Sequence, residues 1–213
     1  MTKPQTTRRP FPVLAIGFGV LVALALVVAL VAALGGGGGR DGGPAEGVSE
    51  TRPVTVDGQA LAPDDGARPD PAVGRPAPAI SGASSDGQPV SILNDGRAKL
   101  VMFVAHWCPH CRAEVPRVVQ WTAAGAGQGV DLYAVSTGVN ADAPNYPPSS
   151  WLEREGWTVP TVADDKSGTA ADAWGLTGFP YFVAVRPDGT VAARASGELD
   201  RGQFDALVAA AHG

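Results

Sequence analysis

The stretch Lys99-Leu100-Val101-Met102-Phe103-Val104-Ala105-His106-Trp107-Cys108-Pro109-His110-Cys111 decides the reading of this chain. Its first six residues are almost wholly apolar, as a central β-strand covered on both faces requires. Two cysteines with two residues between them follow immediately. Cys108 to Thr122 then carries Val115, Val118, Val119 and Trp121 in a helical pattern, with Pro116 predicting a kink. Val130 to Ser136 is a second strand candidate. Strand, helix and strand at this length predict a right-handed parallel crossover, with the cysteine pair where the strand gives way to the helix.

Toward the C-terminus, Ser150 with Glu153 is a capping-box pattern that predicts a helix across Trp151 to Gly156. Tyr181 to Arg186 and Thr190 to Arg194 flank the turn Pro187-Asp188-Gly189 and predict an antiparallel hairpin. Asp200 as N-cap, Gln203 at the reciprocal position and Leu199 opposite Phe204 predict a terminal helix through Ala211. The fold class is α/β, a mixed central sheet with helices on both faces. Trp151, Trp157 and Trp174 are expected in core or rim packing, and His106 and His212 at the surface. Pro144 to Ser149, within the connection Thr137 to Ser149, looks like a loop insertion near the substrate side, although a plain variable loop is the commoner explanation of such a segment.

Toward the N-terminus, Val13 to Leu34 runs 22 residues without a charged or hydrogen-bonding side chain. As a helix at ~1.5 Å per residue this segment is long enough to span a bilayer. Lys3, Arg8 and Arg9 precede it within a cytoplasmic tail of residues 1–12, so everything after Leu34 is expected outside the cytoplasm. A signal peptide cleaved near Ala33, giving a secreted domain, is the alternative reading. Residues 35–72 hold ten Gly and five Pro, which predicts a flexible linker. A small hairpin around Asp57-Gly58 is the one element expected inside it. The folded domain is then expected over 73–213.

The whole chain has 213 residues, 45% of them apolar and 17% charged, enough for one sizeable core and against wholesale disorder. Its formal charge is -5, and the basic tail leaves the remainder still more acidic. A nucleic-acid partner is thereby excluded, because phosphate binding needs a basic face. No Gly-x-Gly-x-x-Gly after a strand and no phosphate-loop Gly-Lys-Ser/Thr occurs, so no organic cofactor is implied.

The pair Cys108 and Cys111 can close a disulfide across one helical turn. The helix dipole and free first-turn N–H groups favour a thiolate at Cys108, and a protonated His110 favours it further. Cys108 is therefore the expected attacking sulfur and Cys111, less accessible, the resolving one. A purely structural bridge is the bland alternative, but closing so short a loop contributes only ~1.9 kcal/mol against ~3 for fifteen residues. Haem attachment fails because Arg112 follows Cys111. A copper- or zinc-binding module recruiting His106, Cys108, His110 or Cys111 is the non-enzymatic alternative, although four ligands within six residues cannot all converge.

With these residues in view, the domain resembles the thioredoxin-like thiol-disulfide oxidoreductases, most of all the membrane-anchored TlpA and ResA type. The resemblance runs through Val73-Gly74-Arg75-Pro76-Ala77-Pro78, Trp107-Cys108, Arg112-Ala113-Glu114-Val115-Pro116, Gly178-Phe179-Pro180 and the Pro187-Asp188-Gly189 turn. It implies a thioredoxin fold, protein thiols and disulfides as substrates and a membrane redox partner for recycling. It also implies a cis-proline at Pro180 facing the two sulfurs, which leaves the Phe179 backbone free for a substrate strand. Trp107, Pro109, Phe179 and Pro180 are the candidate substrate-binding residues. Glu114 matches an acidic residue of the membrane-anchored relatives and is the candidate acceptor of the Cys111 proton, with a solvated surface carboxylate as the alternative. Met102 stands where thioredoxins proper carry a buried Asp. Tyr181, where most relatives carry Thr, suggests altered substrate contacts.

Pro109-His110 resembles the oxidising disulfide donors of the DsbA type. A cation beside Cys108 stabilises the dithiol state and so makes the disulfide a stronger oxidant. Local charge therefore favours an oxidant or isomerase, whereas the TlpA and ResA resemblance implies a disulfide reductase, for example in cytochrome c maturation.

Overall fold

Lys99–Val104 is buried along its whole length in the computed structural model, which describes residues 47–213. The elements in chain order are β1 (Thr55–Asp57), β2 (Ala79–Ala83), β3 (Pro89–Ile92), β4 (Lys99–Val104), α1 (Pro109–Ala123), β5 (Asp131–Ser136), α2 (Pro148–Arg154), β6 (Thr161–Ala163), α3 (Thr169–Ala173), β7 (Tyr181–Val185), β8 (Val191–Ser196) and α4 (Arg201–His212). The main sheet has the order β6-β5-β4-β7-β8. Strand β4 pairs parallel with β5, Lys99 opposite Asp131, and antiparallel with β7, Lys99 opposite Val185. The mixed sheet, the crossover through α1 and the β7–β8 hairpin are all as the sequence predicts.

Side chains of β4 alternate between two cores, as the period of a pleated strand demands. Leu100, Met102 and Val104 join Val115 and Val118 of α1, Trp151 and Leu152 of α2, and Phe204 and Leu207 of α4. Val101 and Phe103 face the other way, toward Ile80, Ile92, Val162, Ala170, Ala171 and Trp174. On that second face the cover comes from Ile80 and Ile92 of a small antiparallel sheet, β1-β2-β3, from Leu61, Ala72 and Ala77, and from Ala170, Ala171 and Trp174 in and just after the short α3. Helix α4 opens as predicted, with Asp200 accepting from the Gln203 N–H and the Gln203 side chain accepting from the Asp200 N–H.

Three expectations are corrected. The described part of the supposed linker, 47–72, is folded. Arg194, with 1% of its side chain exposed, bonds Asp70 through Nε at 2.8 Å and the Ala62 carbonyl through Nη1 at 2.7 Å. Leu61 and Ala72 are buried, and Arg52 reaches the Ser85 carbonyl at 2.7 Å. Glycine and proline deny this segment long helices and strands, but long-range partners still hold it. No local hairpin forms at Asp57-Gly58: β1 pairs with β2, Val56 opposite Ile80.

Helix α2 begins at Pro148, so Ser150 lies inside it and no Ser150–Glu153 capping box forms. One first-turn donor is met instead from the supposed linker, where Glu50 accepts from the Ser149 N–H at 2.9 Å and also from the Ser149 hydroxyl at 2.5 Å. The membrane-spanning segment expected at Val13 to Leu34 lies outside the described residues. Among the described residues no helix is long and apolar enough to cross a membrane.

Candidate functional site

Strand β4 ends at the centre of the sheet, and the chain turns through Ala105, His106 and Trp107 into α1. Cys108 is the N-cap of that helix, in extended conformation, and its carbonyl accepts the first helical bond from the Arg112 N–H at 3.1 Å. Pro109 opens the helix, where its missing N–H costs nothing. Both cysteines are free thiols. Cys108 keeps 6% exposure against 0% for Cys111, so the entrance sulfur is more enclosed than the sequence suggests but still the more accessible of the two.

The two sulfurs meet different surroundings. The Cys108 thiol points at the Phe179 carbonyl, 3.9 Å away, and the Phe179–Pro180 bond is cis. Trp107, 38% exposed, stacks edge-on against Phe179 with ring centroids 5.7 Å apart. Trp107 and Phe179 thus border Cys108, with Pro109 exposed beside it and Pro180 itself buried. Cys111 receives the Ala105 N–H at 3.5 Å. Burial pushes its thiol well above the ordinary range, and the neighbouring Cys108 and Glu114 push it further, against the Ala105 N–H.

Glu114 is fully buried, which removes its reading as a solvated carboxylate. Its Oε1 accepts the Leu199 N–H at 3.2 Å and its Oε2 lies 3.0 Å from Arg117 Nη2. Burial raises the Glu114 carboxyl above its usual range, opposed by the Leu199 N–H and the Arg117 charge and reinforced by Glu198. His110 is exposed and its Nδ1 lies 2.7 Å from Glu198 Oε1. Glu198 also pairs with Arg117 through Oε2. His110 therefore meets a carboxylate on its outer side, which the charge argument from the sequence did not include.

His106 is corrected from a surface position to 0% exposure. Its Nε2 accepts the Asn140 N–H at 3.2 Å and its Nδ1, 2.7 Å from the Pro144 carbonyl, is the ring nitrogen placed to donate. Asn145 Nδ2 donates to the His106 carbonyl at 2.9 Å, and Trp107 Nε1 to the Gly138 carbonyl at 2.7 Å. The loop after β5 is thus tied to the two residues that precede Cys108. Tyr181 turns inward, its hydroxyl donating to the Trp174 carbonyl at 2.9 Å, and so adds nothing to the substrate surface.

Sequence reasoning missed Arg117 and Glu198. Arg117 was visible as the residue three after Glu114 on the same helix. Glu198 gives no local signal, since it meets His110 across 88 positions of chain.

A sequence model described as Redoxin matches residues 72–210. The thiol:disulfide interchange protein DsbE homolog of Paracoccus denitrificans is 31% identical over 153 residues, 70% of this chain and 80% of that protein. The thiol-disulfide oxidoreductase ResA of Halalkalibacterium halodurans is 27% identical over 97 residues, 46% of this chain and 52% of that protein. A solved thioredoxin-family thiol:disulfide interchange protein from Chlorobium tepidum TLS is 29% identical with a TM-score of 0.54, over 65% of this chain and 96% of that one. A thioredoxin-like sheet, a Cys-x-x-Cys at the entrance of α1 and a proline loop opposite it accompany these matches, and the chain belongs to the redoxin family, where it fits the TlpA and ResA type.

Proposed function

We propose that this protein is a thiol-disulfide oxidoreductase that exchanges disulfides with protein thiols through Cys108 and Cys111. The observation that carries the reading is the asymmetry of the two sulfurs, one at the helix N-terminus facing the Phe179 carbonyl and the other enclosed beside Glu114. In the reducing direction the Cys108 thiolate attacks a client disulfide, and a mixed disulfide forms as one client thiolate leaves and takes up a proton. Cys111 passes its proton to Glu114 and attacks Cys108, closing the Cys108–Cys111 bond and releasing the second client thiol. The same steps in reverse oxidise a client dithiol. Trp107, Pro109 and Phe179 form the surface on which the client segment lies, and Pro180 is buried next to Phe179. The proposed exchange calls on no organic cofactor or metal, only on the Cys108–Cys111 couple.

The direction of exchange turns on His110. With Glu198 2.7 Å from its ring, the cation that a strong oxidant needs beside Cys108 is partly compensated, which supports a reductant. The second reading, an oxidant or isomerase, is favoured by the exposure of this ion pair, because solvent screens it and leaves His110 some of its effect. An equilibrium potential below ~-250 mV in glutathione buffers supports the reductant, and one near ~-120 mV the oxidant. We further infer that Val13 to Leu34 anchors the chain with the domain outside the cytoplasm, near a membrane redox partner. Protease added to intact cells then digests the domain, whereas full protection contradicts this placement.

The exchange itself is tested by trapping. Cys111→Ser accumulates mixed disulfides with client proteins, and Cys108→Ser forms none and loses turnover. Normal turnover by both variants overturns the assignment.

A further inference from the structure

The carboxylate of Glu198, on the connection between β8 and α4, joins two groups that flank the two sulfurs. One oxygen pairs with His110, inside the Cys-x-x-Cys, and the other with Arg117. The same Arg117 Nη2 lies 3.0 Å from Glu114, which is buried near Cys111. We propose that Glu198 is a positioning residue for the exchange, which sets the charge felt at Cys108 through His110 and the charge felt at Glu114 through Arg117. The inference rests on Cys108 and Cys111 being the exchanging pair, but not on the direction in which they run.

Geometry makes the arrangement specific. Arg117 is held in place by its own backbone contacts, Nε donating to the Ala113 carbonyl at 3.1 Å and Nη1 to the Leu199 carbonyl at 3.4 Å. Glu198 is held by its chain neighbours, since the Leu199 N–H bonds Glu114 and Asp200 begins the reciprocal cap of α4. His110, Arg117, Glu114 and Glu198 therefore form one continuous chain of charged partners across the first two turns of α1. The His110 bond, and after it the Arg117 bond, hold the Glu198 carboxyl below its usual range, so it stays ionised through neutral and mildly acidic pH.

The consequence follows from charge alone. With Glu198 present, the positive charge of Arg117, and that of His110 when the imidazole is protonated, is shared with an outer carboxylate. Without it, a protonated His110, two residues after Cys108, is left uncompensated and Arg117 serves Glu114 alone. Both changes favour anions at the site, so the dithiol state gains stability and the disulfide becomes a stronger oxidant. Glu114 also loses a neighbouring negative charge that pushes its carboxyl up, and its titration moves to lower pH. The other groups named at Glu114, Arg117 and Cys111 of α1 and the Leu199 N–H, remain.

The test is the full-length protein carrying Glu198→Gln, equilibrated at pH 7 with glutathione and glutathione disulfide and quantified by alkylation and mass. In that equilibrium the protein dithiol and glutathione disulfide give the protein disulfide and two glutathione thiols. The S–S bond of glutathione breaks, the Cys108–Cys111 bond forms, and both protons end on glutathione. Glu198→Gln shifts the constant about two- to fivefold toward the protein dithiol, about 10–20 mV for this two-electron couple. The acid limb of the exchange rate moves to lower pH. Glu198→Asp returns most of both shifts, and in a His110→Gln background the Glu198→Gln shift shrinks.

A purely structural Glu198 lowers the melting temperature of Glu198→Gln but leaves the potential and the pH limb in place, and that result overturns the proposal. A shift toward the protein disulfide overturns it too. A wild-type pair that never equilibrates with glutathione removes the exchange reading and this inference together, whereas a normal wild-type potential that Glu198→Gln leaves unmoved removes this inference alone.

Discussion

The two sides of the first turns of α1 obey different electrostatics. On the inner side, Cys111 and Glu114 are each 0% exposed, and loss of water dominates: it raises both the thiol and the carboxyl. On the outer side, His110 and Glu198 are paired in solvent, where charge is screened and each contact is weak. The inner side thus sets a donor thiol and an acceptor carboxyl side by side, the proton affinity of both raised by burial. The outer side provides fine adjustment. One residue, Arg117, touches both.

This contrast orders the expected effects of mutation. The largest is Cys108→Ser, which leaves no sulfur to attack a client and abolishes turnover in a disulfide-exchange assay. Next is Glu114→Gln, which keeps a carbonyl oxygen for the Leu199 N–H but removes the proton acceptor. Resolution of the mixed disulfide then slows by about 10²–10⁴, the range for general acid-base groups, and single-turnover quench measures it. An unchanged resolution rate reduces the buried carboxylate to a structural role.

Smaller still is His110→Gln, which shifts the glutathione equilibrium toward the protein disulfide by about two- to fivefold, with turnover retained. A shift of about 100-fold or more, or a loss of turnover, erases the distinction between the two sides. The smallest effect concerns stability. The native carboxyl of Glu114 is raised above its unfolded value, so above about pH 4.5 the native state binds more protons than the unfolded state and stability falls as pH rises through that window. Denaturant titrations at several pH values show this slope in the wild type and a flatter one in Glu114→Gln. Equal slopes contradict the burial account.

The sequence carried the inner side well. A six-residue apolar run, a Cys-x-x-Cys and a helical pattern are local signals, and they placed β4, α1, Cys108 and Cys111 correctly. The capping box at Asp200 was equally local. What stayed hidden depends on distant partners. His106 read as a surface residue because nothing near it in sequence shows that Asn140 and Pro144 close over it. Residues 47–72 read as linker because their composition reports missing local structure, whereas Arg194 and Ser85 supply their order from elsewhere. Glu198 is the costliest omission, since it alters the charge argument for His110 on which the direction of exchange depends.

The central claim is that two neighbouring thiols have unequal chemistry, and alkylation of the reduced protein measures it most directly. Iodoacetamide is added at pH 7, and the label on each cysteine is followed over time by mass spectrometry. The account predicts that Cys108 is modified at least about 100-fold faster than Cys111, which reacts only as the domain unfolds. Equal rates at the two sulfurs, or a faster Cys111, contradict it.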